Sequence, residues 1–301
     1  MPVQTTYLAS ADYPGVGLPT ATTADQVSRA SDIIDAYLQR NEGLLWTPDA
    51  NGAPLCMTRQ QPLASRTLVG AIAAGDLVPA VLTGGPVLTI GDPLVLNRTG
   101  NTAEICKVES IQDSTHVILL KVANNHAANE TVESGLLIEQ TVRLPKNRSI
   151  ATVSKGPIAS VFSMMGRISY SRRGDPPGLM QEYAMLQATT AFGGAPSWQD
   201  IVVQPSDIEK NTNQIWCPIG ILMVPYSEVK VAYIGGYIAA ALPFQVKQAC
   251  ANVIIAIGES PASPNMKSFK AGDTQMTRFL DSVIDNDTRT LLAPYVSKLY
   301  G

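Results

Sequence analysis

Helical periodicity marks the two ends of this chain, and between them the apolar residues fall into short alternating runs. Near the N-terminus, Val27, Ala30, Ile33, Ile34, Tyr37 and Leu38 recur at helical spacing, with Arg29, Asp32, Asp35 and Gln39 between them. Such a stripe predicts an amphipathic helix, over Ala24–Arg40, that buries one side. Thr23 suits an N-cap, and Gln26 three residues later completes a capping-box pattern. Gly43 is the expected stop. Towards the C-terminus, Val229, Val231 and Tyr233 alternate with Lys230 and Ala232, as in a strand. Gly235-Gly236 then makes a turn, and Pro243 suits a first helical position because its missing N–H costs nothing there. Phe244, Val246, Ala249, Cys250, Val253, Ile254 and Ile257 follow at helical spacing. Each helix needs a surface for its stripe, and each is the natural partner of the other.

The middle of the chain reads as strands cut by turn residues. Expected strands are 63–68, 86–90, 93–97, 103–111, 116–120, 136–139, 150–153, 158–170, 182–189, 199–203, 214–217 and 229–233. Gly84-Gly85, Gly91-Asp92, Thr99-Gly100-Asn101 and Arg173-Gly174-Asp175 mark turns. Alternation within 66–142 fits a small antiparallel barrel with one wet face. The fold class is therefore α+β: a small helical core split by a long, mostly antiparallel β insertion, either barrel or sandwich. Four parts are expected. Residues 1–62 carry an irregular arm and the first core helix, and 63–145 an inserted barrel-like module. Residues 146–228 form a second β region, and 229–301 the core strand, the second helix and a C-terminal segment. Ser260-Pro261-Ala262-Ser263-Pro264 interrupts that last part, and Met266–Met276 reads as extended.

Composition narrows the function classes. Of 301 residues, 45% are apolar and only 16% charged, with 23 glycines and 21 prolines. An average globular chain is roughly 25% charged. So little charge suggests surface covered by partners. A net charge of −3 argues against a dedicated nucleic-acid binder. Cys56, Cys106, Cys217 and Cys250 stand far apart with no CxxC, which suits buried thiols in a reducing compartment better than zinc. The N-terminus lacks the basic head and apolar run of a secretory leader, and no apolar run approaches the roughly 20 residues of a membrane span.

Reactive constellations are sparse. The two histidines are His116, in an expected strand, and His126, in an Asn-rich stretch that reads as a solvated loop. The acids are scattered: Asp200, Asp207, Asp285 and Asp287 read as solvated turn residues. Gly91-Asp92-Pro93 and Gly174-Asp175-Pro176 are turn chemistry, not phosphate loops. No catalytic residue, cofactor or metal is expected. Arg167, Arg172 and Arg173 lie along and after one strand and form either an exposed hairpin tip or a loop facing DNA phosphates. Trp46, Trp198 and Trp216 read as core or interface anchors.

Three pieces taken in order resemble the head–tail connector (adaptor, or head-completion) proteins of tailed bacteriophages. They are the helix Ala24–Arg40 running into Gly43-Leu44-Leu45-Trp46, the run Val229–Tyr237 with Pro243 and Val246-Lys247-Gln248-Ala249, and Leu291-Leu292-Ala293-Pro294-Tyr295. Together they cover about a third of the chain. The resemblance implies a virion neck protein, assembled in the host cytoplasm, in a homo-oligomeric, twelvefold ring. That ring would sit beneath the portal protein, extend the DNA channel for non-specific passage of double-stranded DNA, and receive the next neck component or tail terminator. Arg167, Arg172 and Arg173 would then face the channel or an interface. Phe269, Met276, Phe279, Leu291, Leu292 and Tyr295 would meet the portal or a neighbouring subunit. The insertion departs from short family members, and contact with neck fibres is one expectation for it. A β-rich receptor- or glycan-binding virion protein, or a carboxylate-dependent hydrolase, are the alternatives.

Overall fold

The computed structural model describes residues 4–144, 149–167, 198–210, 212–217, 226–258, 268–271, 274–277 and 284–297. Helix α1 spans Ala24–Leu38. Its start is the capping box: the Gln26 amide donates to the Thr23 hydroxyl at 3.3 Å, and the Thr23 amide donates to Gln26 Oε1 at 2.9 Å. It ends sooner than Gly43 suggests. Gln39 takes the left-handed conformation (φ 56) and its amide bonds back into the last turn. Gly43 shapes the following turn instead (φ 75). Helix α2 (Phe244–Gly258) lies on α1, and Val27, Ala30, Ile34 and Leu38 share one core with Val246, Ala249, Cys250 and Val253. The N-terminal arm packs onto its own chain, burying Tyr7, Leu8, Tyr13, Val16 and Leu18 in that core. Helix α3 (Asn286–Leu292), capped by the Asp285 carboxylate on the Thr288 amide at 2.7 Å, adds Leu292. The two ends of the chain thus build a single helical core.

The rest is mostly antiparallel sheet, so the fold is α+β. A hairpin of β1 (Trp46–Pro48) and β2 (Pro54–Met57) follows the first helix. Six strands come next: β3 (Ala64–Thr67), β4 (Gly75–Val81), β5 (Pro93–Leu96), β6 (Glu104–Ile111), β7 (His116–Val122) and β8 (Thr131–Ser134). They form one sheet in the order β3-β8-β5-β6-β7-β4. Its edges touch through the single bridge Leu68–Leu82. The ladder does not close, so this is a curled sheet and not the barrel that its alternation suggests. Inside the curl Leu94, Leu96, Val108, Leu119 and Val132 are buried. Residues 86–90, expected as a strand, form a loop: Asp92 accepts from the Thr89 amide at 2.7 Å and from its hydroxyl at 2.5 Å, folding a turn there.

A second sheet joins β9 (Ile138–Arg143), β11 (Ile158–Arg167), β12 (Gln199–Asp200) and β15 (Glu228–Gly235) in the order β12-β11-β15-β9. So β9, although it follows the six-stranded sheet in sequence, pairs with β15. Beside it β10 (Ile150–Thr152), β13 (Ile208–Glu209) and β14 (Gln214–Trp216) make a three-stranded sheet, and both share a core containing Ile138, Ala151, Ile158, Ile215, Val229, Val231 and Tyr233. A last hairpin, β16 (Ser268–Ala271) with β17 (Thr274–Thr277), places Phe269 opposite Met276.

Candidate functional site

The helical core and the sheets meet where the chain leaves α1 and where it returns to α2. Leu45 and Tyr237 form a parallel bridge. The Tyr237 amide donates to the Leu44 carbonyl at 2.8 Å, and the Trp46 amide to the Tyr237 carbonyl at 3.1 Å. The Gly236 amide donates to the Pro157 carbonyl at 2.7 Å. Only a glycine fits at 236: its φ is +107, and a Cβ there would collide with the Leu44 carbonyl oxygen. A cleft of about 710 Å³ opens beside this junction, lined by Asp12, Trp46, Arg98, Asn101, Ala239 and Lys247. Its charges are already engaged. Lys247 pairs with Asp12 at 2.7 Å, and Arg98 donates to the Thr58 carbonyl at 2.9 Å.

A polar network ties the arm to α1 on the same core. The Tyr7 hydroxyl donates to Asp35 Oδ1 and accepts from the Leu44 amide at 3.0 Å. Arg59 donates from Nε to Asp35 at 2.6 Å and from Nη2 to Asp32 at 2.5 Å, with its guanidinium 5.2 Å from the Tyr7 ring centre. Burial pushes the Asp35 carboxyl up from 3.8 to about 6, against the pull of Arg59 and Tyr7. Because the folded value lies above the ordinary one, this group's contribution to stability is fully present below pH 3.8 and lost as pH rises through about 6. Relative to Asp35→Asn, the wild type should lose about 1–3 kcal/mol between pH 4 and pH 7 in urea titrations. A difference that stays flat across that window would refute the assignment.

The groups that carry chemistry elsewhere are committed to structure. His126 is not in a solvated loop: its side chain is fully buried between Glu130 (Nδ1 to Oε2, 2.6 Å) and Glu104 (Nε2 to Oε1, 2.8 Å). Glu104 also accepts the Ala123 and Asn124 amides at 2.7 and 2.8 Å. His116 is exposed, its Nδ1 on Asp113 at 2.8 Å. Burial raises the thiols of Cys106 and Cys250 to about 12, of Cys217 to about 11, and of Cys56 in the same direction, so they stay protonated and weakly nucleophilic. Among the described residues, no three or more His, Cys, Asp and Glu side chains are grouped to hold a metal ion. No described helix is long and apolar enough to cross a membrane.

The residues singled out for interfaces fall in different places. Arg167 is held by Glu228 (2.6 Å from Nη2, 2.8 Å from Nε) and lies 4.6 Å from the Trp198 ring centre. The exposed Arg143 reaches the same carboxylate at 3.5 Å. Arg172, Arg173 and Phe279 lie outside the described residues. Leu291 is half-buried, whereas Leu292 is fully buried and belongs to the chain's own core. Tyr295 sits edge-on to Tyr237, with centroids 6.3 Å apart. Trp216 is exposed on β14. Tyr7, Asp35, Arg59 and Glu104 were not singled out from the sequence, because their partners lie far along the chain.

No family model, curated protein or solved structure matches the chain.

Proposed function

We propose that the chain is a ring-forming head-to-tail connector of a tailed-phage virion. Each subunit contributes a helical core to a ring that joins the portal to the neck or tail and continues the DNA channel. What supports this reading is one observation: the two ends of the chain form one core, and the long β segment leaves and re-enters it at adjacent points, Leu44–Trp46 and Gly236–Tyr237. This is the organisation implied by the connector resemblance, with the β segment as an elaboration directed at neck fibres or ring neighbours. Heterologous contacts between identical subunits close into a ring when the rotation per subunit divides the circle. A low-charge chain with Arg167 already paired to Glu228 suits a wall along which DNA passes without tight binding.

Mass photometry and negative-stain imaging of the purified chain, alone and with portal particles, test this. Closed rings, twelvefold by the resemblance, that bind one end of the portal are expected. A chain that stays monomeric at micromolar concentration and does not bind the portal would sink the proposal.

A further inference from the structure

Strand β3 points an arginine into the curled six-stranded sheet. Arg66 pairs with Val132 in the ladder and is 3% exposed. Its Nη1 donates to the Ser114 carbonyl in the β6–β7 turn, at 3.3 Å. Among the described residues its Nε and Nη2 have no hydrogen-bond partner. These two atoms form the side-on edge of a guanidinium, whose parallel N–H bonds match the two oxygens of a carboxylate or phosphoryl group. The acid of that same turn does not serve them. Asp113 is taken by the Thr115 and His116 amides, at 2.7 and 2.8 Å, and by the His116 ring at 2.8 Å.

What lies over the face of that guanidinium is a glycine loop. A Cβ on Gly85 would stand 2.7 Å from Arg66 Nε, 3.0 Å from Cζ and 3.2 Å from Nη2. The absence of a side chain at 85 lets the loop rest on the guanidinium face. The loop itself is solvent-facing: residues 83–87 are exposed, and Val87 is 90% so. Its two ends are anchored by Leu82 and Leu88, which are buried in the core of the sheet. Arg40, the other buried arginine among the described residues, differs. Its unpaired atoms are Nε and Nη1, which do not make the side-on edge, and its Nη2 holds the Gly156 carbonyl at 2.6 Å.

We propose that Arg66, beneath the Gly84-Gly85 loop, is a binding site for a small oxyanion, gripped through Nε and Nη2. The inference does not depend on the connector reading. A buried cation with an unused fork leaves costly unmade hydrogen bonds, which a two-oxygen anion satisfies together with the charge.

Calorimetric titration of the full chain with inorganic phosphate and, separately, with succinate tests it, at ionic strength matched by chloride. Saturable binding of either is expected; phosphate alone points to phosphoryl ligands, succinate alone to carboxylates. Arg66→Lys keeps the charge and removes the fork, so affinity should fall about tenfold or more. Gly85→Ala leaves the β3 ladder untouched but presses a methyl group onto the guanidinium and displaces its fork, and should weaken binding comparably while the melting temperature without ligand stays near that of the wild type. Wild-type protein that binds neither anion beyond the chloride control overturns the proposal. So does undiminished binding by both variants.

Discussion

Gly236→Ala should destabilise the protein by at least about 3 kcal/mol, measured as a shift of the urea midpoint at unchanged slope. Two effects act together. The residue sits at φ +107, where an L side chain is strained, and its Cβ would meet the Leu44 carbonyl, a backbone atom that cannot rotate aside. Relief requires pulling Gly236 and Tyr237 away from Leu44–Trp46, which breaks the bonds at 2.8 and 3.1 Å. Gly258→Ala, with open space around the position and no positive φ, is the control and should change stability by less than about 0.5 kcal/mol. If the two variants behave alike, the junction does not hold the halves of the chain together.

The second large effect belongs to His126. Replacing it with alanine leaves Glu104 and Glu130 facing a buried site with nothing between them. In the wild type both ring nitrogens meet carboxylate oxygens, at 2.6 and 2.8 Å, so the ring is their shared partner. Taking away the ring leaves two part-buried carboxylates without their shared hydrogen-bond partner and opens a cavity, a loss of about 2–3 kcal/mol. His126→Ala should lose that much in thermal or urea unfolding. Adding Glu130→Gln should restore part of it, giving a coupling well outside additivity. Strict additivity of the two changes would show that the cluster does not act as a unit.

These two sites show what could be read from the sequence and what could not. The helices were legible because their determinants are local: a cap at Thr23, a partner at Gln26, and apolar residues recurring every three or four positions. Strands β5, β6 and β7 were legible for the same reason, since each alternates within itself. Strand β4 was not, because Gly75-Asp76 reads as a turn and Pro79 argues against a strand; as an edge strand it tolerates both. Pro48 and Pro54 concealed the β1–β2 hairpin in the same way. His126 was misread for a different reason. Its neighbours in sequence are polar, and its burial is made by Glu104, 22 residues away, and by the backbone pairing of its own segment with Ile72. Arg66 gave no signal at all, because nothing in Ala-Ser-Arg-Thr says which face of β3 turns inward. The side-on fork and the glycine above it exist only once residues 66, 85 and 114 are brought together.

The packing of α1 on α2 also bears on how the chain folds. Val27 and Val246 share a core, yet everything from β1 to β15 is synthesised between them. The helical core therefore cannot close on the ribosome until α2 has emerged, and α1 waits with its apolar stripe exposed. The cost of closing so long a loop falls if the sheets between have already folded and brought Trp46 and Tyr237 side by side, because a folded segment acts as a short tether. The β segment would then act as a scaffold that folds first and delivers the two halves of the helical core to each other.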